Sequence, residues 1–470
     1  MMRMACFICV QKYSYMLKQQ KIFFEFLRFC IGSAKEIPGS LKEVDWKELY
    51  AIAKKQCLVG VLFDGIKKLP AEYVGMKKEL LLQWMAESQM LEKANVRLND
   101  AAIQVSEWFR KKGFRTCILK GQGNALMYPN PYSRTPGDID IWVEGEDKRV
   151  ISFVRSISPH EKACYHHIEF PSYKGVEVEV HYRPSFLLCF WHNRRLQKYY
   201  ERVKEEQFSH RVMLGEQGEI AIPTVEFNLI FQLTHIYSHL MNEGIGLRQL
   251  LDYYYVLCDF YKVYQISSNP SVSLSKGSST FSPSPSSSGS GDVTAPSRCS
   301  EPLRSKDGGP SKVSPNCAGW DRRDVSGDTT SDTVSHSATV CAGSTAIGSV
   351  ASSASFSAAI DRVQEKLKEL GLWKFAEGIM YIMQEVFGMP ASRLIVPPNE
   401  KYGKFVLNEV LEAGNFGKHD ARNRFGRSQL GHNLQRVYRD IRLVRYFPAE
   451  ALCEPLFRVW HFFWRMKNKK

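Results

Sequence analysis

The sequence predicts an α/β (α+β) fold, in which a small mixed sheet is embedded in a mostly helical protein with a long disordered insertion. Three observations predict this. Apolar residues recur at helical spacing on both sides of a short central region. That central region holds brief β-branched runs separated by glycine and proline. Ser, Gly, Thr and Pro dominate a stretch of about 90 residues after residue 266.

These changes in composition divide the chain into an N-terminal helical region, a central core, a C-terminal helical domain and the insertion. Their boundaries are 17–110 for the helical region, 111–222 for the core, 223–265 with 358–470 for the helical domain, and 266–357 for the insertion. The insertion has too few large apolar residues to offset its ordering entropy, so we predict that it is disordered. Its deletion should change stability little, because the entropy of loop closure varies slowly with length.

The helical region carries clear start and stop signals. Asp45 is a predicted N-cap before Trp46, Leu49 and Tyr50, which recur at helical spacing. A long helix is predicted from Leu80 to Phe109, with Lys111, Lys112 and Gly113 as its stop.

Four short strands are predicted in the core. They are 115–119, 138–143, 167–170 and 176–182, and Lys174 and Gly175 form the turn between the last two. In the second strand Ile139, Ile141 and Val143 alternate with Asp138 and Asp140, so both carboxylates share one face.

Asp138 and Asp140 form the candidate metal site. Two carboxylates held together repel each other unless a cation lies between them, and hard Mg²⁺ prefers carboxylate and phosphate oxygen. Downstream, Glu177, Glu179 and His181 also share a strand face. A solvated polar face is the simpler reading of Glu177, whereas Glu179 is the predicted third carboxylate of a site that can hold two metals.

A glycine-containing turn precedes the aspartates. Lys120, Gly121 and Gly123 join the first strand to a short helix, where backbone N–H groups can approach a phosphate. A simple tight turn explains the same pattern. Arg134 either pairs with a carboxylate inside the protein or binds a substrate phosphate through its bidentate guanidinium, and its place just before Gly137 favours the phosphate role.

The stretch from Leu119 to Val143, which contains Lys-Gly-Gln-Gly, Tyr-Pro, Arg134 and Gly-Asp-Ile-Asp, resembles the uncharacterised bacterial nucleotidyltransferase family of the polymerase-beta-like superfamily. Glu179-Val-His181 is similar to the family's Glu-x-His segment, and 248–252 resembles its Leu-Arg-x-Leu-Leu-Asp helix. The similarity extends over about 20–264 and 360–445.

The resemblance implies a minimal nucleotidyltransferase sheet that transfers a nucleotidyl group from an NTP. Asp138, Asp140 and Glu179 would hold Mg²⁺ or Mn²⁺, and the turn would bind the triphosphate. The superfamily usually has Gly-Ser or Gly-Gly at that turn, where this chain has Gly121-Gln122, so the phosphate contacts are open. The acceptor is a small molecule, a protein or an RNA. The alternative is a catalytically silent nucleotide-binding or interaction module.

Two features outside the core have competing explanations. His235 and His239, four apart on a helix, suit either a metal pair or a structural role, through packing or through a hydrogen bond to Asp252, and we favour the structural role. Near the C-terminus an apolar stripe runs beside four arginines that recur every third residue. We predict a packed helix with a solvated basic face rather than a nucleic-acid surface. The stripe is Leu434, Val437, Tyr438, Ile441 and Val444, and the arginines are Arg436, Arg439, Arg442 and Arg445.

Composition constrains partners and compartment. The 63 basic and 49 acidic residues give a formal charge of +14, which suits polyanionic partners without choosing among them. The twelve cysteines are scattered, and only Cys6 and Cys9 form a C-x-x-C pair. With no apolar run long enough to span a bilayer, these features favour a cytoplasmic protein with free thiols.

Overall fold

A computed structural model describes residues 18–216, 218–268, 353–418, 420, 422 and 429–468. The predicted insertion and the Cys6–Cys9 pair therefore lie outside the described residues, apart from the two ends of the insertion. Those ends are helical, because one helix continues to Ser268 and the next begins at Ser353.

Four helices precede the sheet. They are α1 (18–31), α2 (Trp46–Lys55), α3 (Val59–Ile66) and α4 (Lys78–Lys111). Asp45 caps α2 as predicted, because its side chain accepts from the backbone N–H groups of Lys47 and Glu48. Gly113 adopts a φ of 81° just beyond α4, which confirms the predicted stop of this helix.

A four-stranded mixed sheet follows. Its strands are β1 (Thr116–Ile118), β2 (Ile139–Val143), β3 (His167–Tyr173) and β4 (Val176–His181), in the order β1-β2-β4-β3. The central pair, β2 and β4, is parallel, and the two outer pairs are antiparallel. Lys174 and Gly175 both have positive φ at the predicted β3–β4 turn, as the tightest hairpin turns require. The mixed α+β fold is thereby confirmed.

The two faces of the sheet have different roles. One face is apolar and packs on α4 and on α6 (Asp147–Ile157), with Phe170 of β3 against Trp108 and Phe109 of α4. Register places Asp140 opposite Glu179 and His181 opposite His167, so these polar side chains share the other face. The sequence pattern alone could not show this pairing, because register is a tertiary property.

The remaining helices follow the first strand or the sheet in the chain. α5 (Gln122–Ala125) follows β1, and α7 (Phe190–Ser209) precedes a small hairpin of β5 (Arg211–Met213) and β6 (Glu219–Ala221). The others are α8 (Val225–Asn242), α9 (Leu247–Ser268), α10 (Ser353–Glu369), α11 (Trp373–Glu385), α12 (Glu400–Ala413), α13 (Gln429–Val444) and α14 (Pro448–Lys467). Four of them, α8, α9, α13 and α14, contribute residues to a cavity beside the polar face. Helix α8 is buried on most of its circumference, so its polar residues lie inside the protein.

The orientation of α13 corrects a prediction. Arg439 is buried and donates to the carbonyl oxygens of Asn242 and Glu243, and Arg442 pairs with Glu409 at 3.3 Å. Four of the five residues of the predicted inward stripe instead face solvent, with Ile441 64% exposed and Val437 45% exposed, whereas Val444 packs against the core. The reason is that buried backbone carbonyls and a carboxylate require donors, and the arginine face supplies them.

In the part of the chain that the structure describes, no helix is both long enough and apolar enough to cross a membrane.

Candidate active site

A cavity of about 430 Å³ opens between the polar face of the sheet and helices α8, α9 and α14. Its walls bring together most of the residues that the sequence singled out. From the sheet and its loops these are Lys120, Gly121, Arg134, Asp138, Asp140, Glu179 and His181, and α8 adds His235 and His239. Gly123 and Glu177 do not line it.

The three predicted carboxylates meet at the sheet. Asp138 lies just before β2, and Asp140 is the direct cross-strand partner of Glu179 on β4. Asp140 is only 4% exposed, whereas the side chain of Glu179 retains 33% exposure toward the cavity. A parallel strand pair with matched register therefore holds acidic side chains from distant parts of the chain on one surface.

The two aspartates differ in charge state. Asp140 and burial together raise the pKa of Asp138 to about 6, although Lys120 opposes them. Burial alone would also raise the pKa of Asp140, but Lys120 and His181 lower it well below the usual value. Asp140 is thus fixed as an anion, while Asp138 takes up a proton at mildly acidic pH.

Lys120 is held against Asp140 by a histidine. Its Nζ lies 2.9 Å from Asp140 Oδ1 and 3.0 Å from His235 Nε2. Burial, with Lys120 next in importance, lowers the pKa of His235 well below its ordinary value, so its neutral ring can accept a hydrogen bond from the ammonium. His235 therefore positions Lys120, a role that the i, i+4 spacing with His239 did not reveal.

Two histidines contact Glu179. His181 Nε2 is 3.0 Å from Asp140 Oδ1 and 3.4 Å from Glu179 Oε2, and His167 Nδ1 is 3.5 Å from the same Glu179 oxygen. Burial would lower the pKa of His181, yet Asp140 and Glu179 raise it to about 9. Burial does lower the pKa of His167, to about 4. Only His181 was a sequence candidate, because His166 and His167, at the start of β3, form no recognisable motif.

Arg134 is paired inside the protein. Its Nε and Nη2 each lie 2.8 Å from a different oxygen of Asp252, and Tyr128 donates to the same carboxylate at 2.7 Å. Arg134 is 2% exposed, although it contributes to the cavity wall. Of the two roles considered from the sequence, this geometry corresponds to the carboxylate pairing. Asp252, the expected partner of the α8 histidines, is thus bound by Arg134 and Tyr128.

The two glycines of the turn have different surroundings. Gly121 lines the cavity with a φ of 55°, and a Cβ there would have its nearest contact at 3.7 Å, with the Asp138 carbonyl. Gly123 is buried in α5, and a Cβ there would approach Ile222 Cγ2 to 2.9 Å. Gly123 also donates its N–H to the Lys120 carbonyl. Close approach by a ligand is therefore open at Gly121, and packing explains Gly123.

Sequence reasoning missed several cationic groups at the cavity wall. Arg248 of α9 lines the cavity with a buried guanidinium. Arg436 of α13 and Arg458 of α14 also line the cavity. Arg248 lies within the segment noted for family resemblance, but the other two come from helices about 260 residues after the sheet. No local pattern could have joined them to Asp140.

The residues present suit a divalent cation. One oxygen of Asp140, one of Glu179 and one ring nitrogen of His181 lie within 4.8 Å of one another. Asp138 lies beside them, and its raised pKa shows that the positive charge of Lys120 does not fully offset its repulsion by Asp140. A cation bound there would relieve that repulsion.

The model of a family described as "Uncharacterised nucleotidyltransferase" matches residues 42–262 of the chain. The family supports a general nucleotidyltransferase function.

Two further comparisons add little. A crystal structure of an antigenic nucleotidyltransferase-like protein from Paracoccidioides brasiliensis is similar over 34% of this chain and 75% of its own, at 14% identity and a TM-score of 0.22. A likeness of that size carries no weight for the function. No curated protein matches the chain significantly.

Proposed function

We propose that this protein is a metal-dependent nucleotidyltransferase that transfers a nucleotidyl group from an NTP to an acceptor hydroxyl. The observation that carries the proposal is the cross-strand pair Asp140–Glu179 beside Asp138, on the wall of a cavity that also contains Lys120. A wholly structural protein gains no evident stability from a pair of repelling aspartates, one of which is protonated near pH 6.

In this proposal each residue has a distinct task. Asp138, Asp140 and Glu179 would hold Mg²⁺ or Mn²⁺, which neutralises charge on the triphosphate. Lys120 and Arg248 would bind phosphate oxygens, and the backbone at Gly121 would allow the triphosphate to approach. A bond forms from the acceptor oxygen to the α-phosphorus, the bond to the β-phosphate breaks, pyrophosphate leaves, and the acceptor proton passes to solvent. Catalysis is then mainly positioning and charge stabilisation.

The decisive variant is Asp138→Asn combined with Asp140→Asn. Pyrophosphate release from NTPs in the presence of Mg²⁺ and cell extract should fall by about three orders of magnitude or more, because the charge-stabilising ligands are lost. Glu177→Gln is the matched control, because Glu177 is exposed on the same strand as Glu179 and lies outside the cavity. Equal pyrophosphate release by the double variant, the control and the native protein would disprove the assignment.

The acceptor can be found with α-³²P-labelled NTPs and fractionated cell extract. Label recovered in protein, RNA or small molecules identifies its class. Label that transfers equally with the double variant arises from another enzyme in the extract.

One observation favours the second candidate function, a catalytically silent nucleotide-binding module. Asp140 Oδ1 already has Lys120 and His181 within 3.0 Å, so its charge is offset without a metal. Titration calorimetry with ATP separates the two functions. Affinity that rises with Mg²⁺ supports the enzyme, and metal-independent affinity without turnover supports the silent module.

A further inference from the structure

A group of nitrogen ligands adjoins the carboxylates. His166 Nε2 lies 3.0 Å from His167 Nδ1, which lies 3.5 Å from Glu179 Oε2, and that oxygen is 3.4 Å from His181 Nε2. Ring nitrogens of the three histidines also lie within 4.8 Å of one another. Ligands bound tetrahedrally at 2.0–2.1 Å are separated by about 3.3 Å, so the three consecutive distances match the edges of one tetrahedron.

The contacts of the histidines orient their ring nitrogens toward one another and toward the carboxylates, so an ion bound here would replace the proton on His181 Nε2. His181 Nδ1 is 3.3 Å from the Arg183 carbonyl, which can only accept, so this nitrogen carries a proton and Nε2 faces the carboxylates. Metal-binding histidines are typically oriented by such a contact. Among the described residues, His166 Nδ1 is buried without a hydrogen-bond partner. The cluster therefore has more ring nitrogens than its internal hydrogen bonds can satisfy.

We propose that His166, His167, His181 and Glu179 bind a borderline-soft divalent ion, with Zn²⁺ the best fit. Imidazole nitrogen suits Zn²⁺, whereas Mg²⁺ requires oxygen ligands and octahedral geometry. The ion extends the proposed function, because Glu179 belongs to both sites and would be held in place beside Asp138 and Asp140. Its occupancy is a binding property that can be measured without turnover.

The test uses the full chain after removal of metal with a chelator. Zn²⁺ titration against a chromophoric competitor should give a tight site, and Co²⁺ should give the intense visible bands of four-coordinate geometry. His167→Gln and, separately, His166→Gln should weaken Zn²⁺ affinity at least about tenfold, because each removes a ligand. His160→Gln is the matched control, since His160 is exposed and outside the cluster. Circular dichroism verifies folding of each variant.

Three outcomes separate this inference from the proposed function. Unchanged Zn²⁺ affinity in Asp138→Asn supports the histidine site. It does so even if the native protein has no detectable turnover, in which case only the proposed function fails. Equal Zn²⁺ affinity in the native protein and in both histidine variants overturns it. Loss of Zn²⁺ with His192→Gln alone also overturns it, because the ion then belongs to the Cys189–His192–Glu450 group.

A second inference rests on α13 and α14. Large apolar side chains line one stripe of α14 at spacings of four and three residues and remain exposed, and those of α13 are exposed as well. On α14 these residues are Leu452 (64%), Leu456 (63%), Val459 (60%), Phe463 (62%) and Met466 (57%). Such a surface is larger than scattered apolar residues account for.

The charges on these two helices are segregated. All three of their carboxylates, Asp440, Glu450 and Glu454, are buried. The exposed charges on the described residues of these two helices and of the three residues between them are all cationic, namely Arg436, Arg445, Arg465 and Lys467. An apolar stripe flanked only by cations, with Trp460 and Phe462 beside it, has the composition of a helix that lies on an anionic bilayer.

We propose that α14, assisted by α13, docks on an anionic membrane surface. The full chain should sediment with vesicles containing phosphatidylserine and remain in solution with pure phosphatidylcholine vesicles. Phe463→Ser should reduce binding several-fold, whereas Met90→Ser should not, although Met90 is 69% exposed on α4. Arg465→Glu with Lys467→Glu should abolish the lipid-charge dependence. Equal vesicle binding by both serine variants overturns the proposal. The proposal is also overturned if the protein binds no vesicles and forms a dimer that Phe463→Ser dissociates.

Discussion

Asp140 and Asp252 are two buried carboxylates, each 4% exposed, but their surroundings differ in a way that separates structure from function. Asp252 receives both arms of Arg134 and the hydroxyl of Tyr128, all from inside the protein. Asp140 is met by Lys120 and His181 and lies beside a second aspartate, although both buried carboxylates line the same cavity. A buried carboxylate whose hydrogen bonds are all satisfied within the protein stabilises the fold. A buried carboxylate that a neighbouring carboxylate repels is available to bind a ligand.

Arg134→Leu should have the largest effect on stability. It leaves Asp252 charged and buried with only Tyr128 as a donor, so the free energy of unfolding should fall by about 3–5 kcal/mol. Urea denaturation measures the loss. Arg134→Leu combined with Asp252→Leu should recover most of it. If the double variant is as unstable as the single one, the pair is not the cause.

Lys120→Met should lower the free energy of unfolding by less, about 1.5–3 kcal/mol. It removes one hydrogen bond to a charged group, and Asp140 remains paired with His181 at the cavity. The same denaturation experiment gives the comparison. NTP affinity should fall as well, and Arg110→Met, a change at an exposed position of α4, is the matched control. A loss as large as that of Arg134→Leu would mean that Asp140 depends on Lys120 as fully as Asp252 depends on Arg134.

Asp138→Asn should stabilise the metal-free protein at pH 7, by about 2 kcal/mol or less, since one pKa unit corresponds to about 1.4 kcal/mol. The pKa of Asp138 is about 6 in the folded protein and lower in the unfolded chain, so its ionisation lowers stability as pH rises through that window. The advantage of the variant should vanish near pH 3.5, where the carboxyl is protonated in both states. Saturating Mg²⁺ should also erase it.

Chemical denaturation across pH 3.5–7 tests this third prediction, with Glu177→Gln as the exposed control. An advantage that persists unchanged at pH 3.5 would show that repulsion by Asp140 is not its origin.

The smallest effects are expected at the glycine turn, where two alanine variants should differ in kind. Gly123→Ala should cost about 1 kcal/mol through overpacking against Ile222 and leave the KM for NTP unchanged. Gly121→Ala should raise the KM for NTP, since its φ of 55° strains an L-residue where a phosphate would approach. Thermal unfolding and initial-rate kinetics separate them. A KM change at Gly123 alone would reverse the assignment of the two glycines.

Local signals predicted much of the fold. The N-cap at Asp45, the stop at Gly113 and the turn at Lys174-Gly175 were correct, because caps and tight turns depend on residues close in sequence. The alternation around Asp140 also placed it on a strand with an apolar opposite face. The candidate carboxylates could be named for the same reason.

The sequence by itself thus determined the elements of the core, the chemistry available on each strand and the low-complexity character of residues 266–357. Only the tertiary structure decided the pairing of Asp140 with Glu179, the burial of Arg134 on Asp252, the contact of His235 with Lys120 and the outward face of Ile441. Periodicity fixes which residues share a face of a helix or strand. Which face becomes buried depends on donors and acceptors brought from distant segments, and no local pattern contains them.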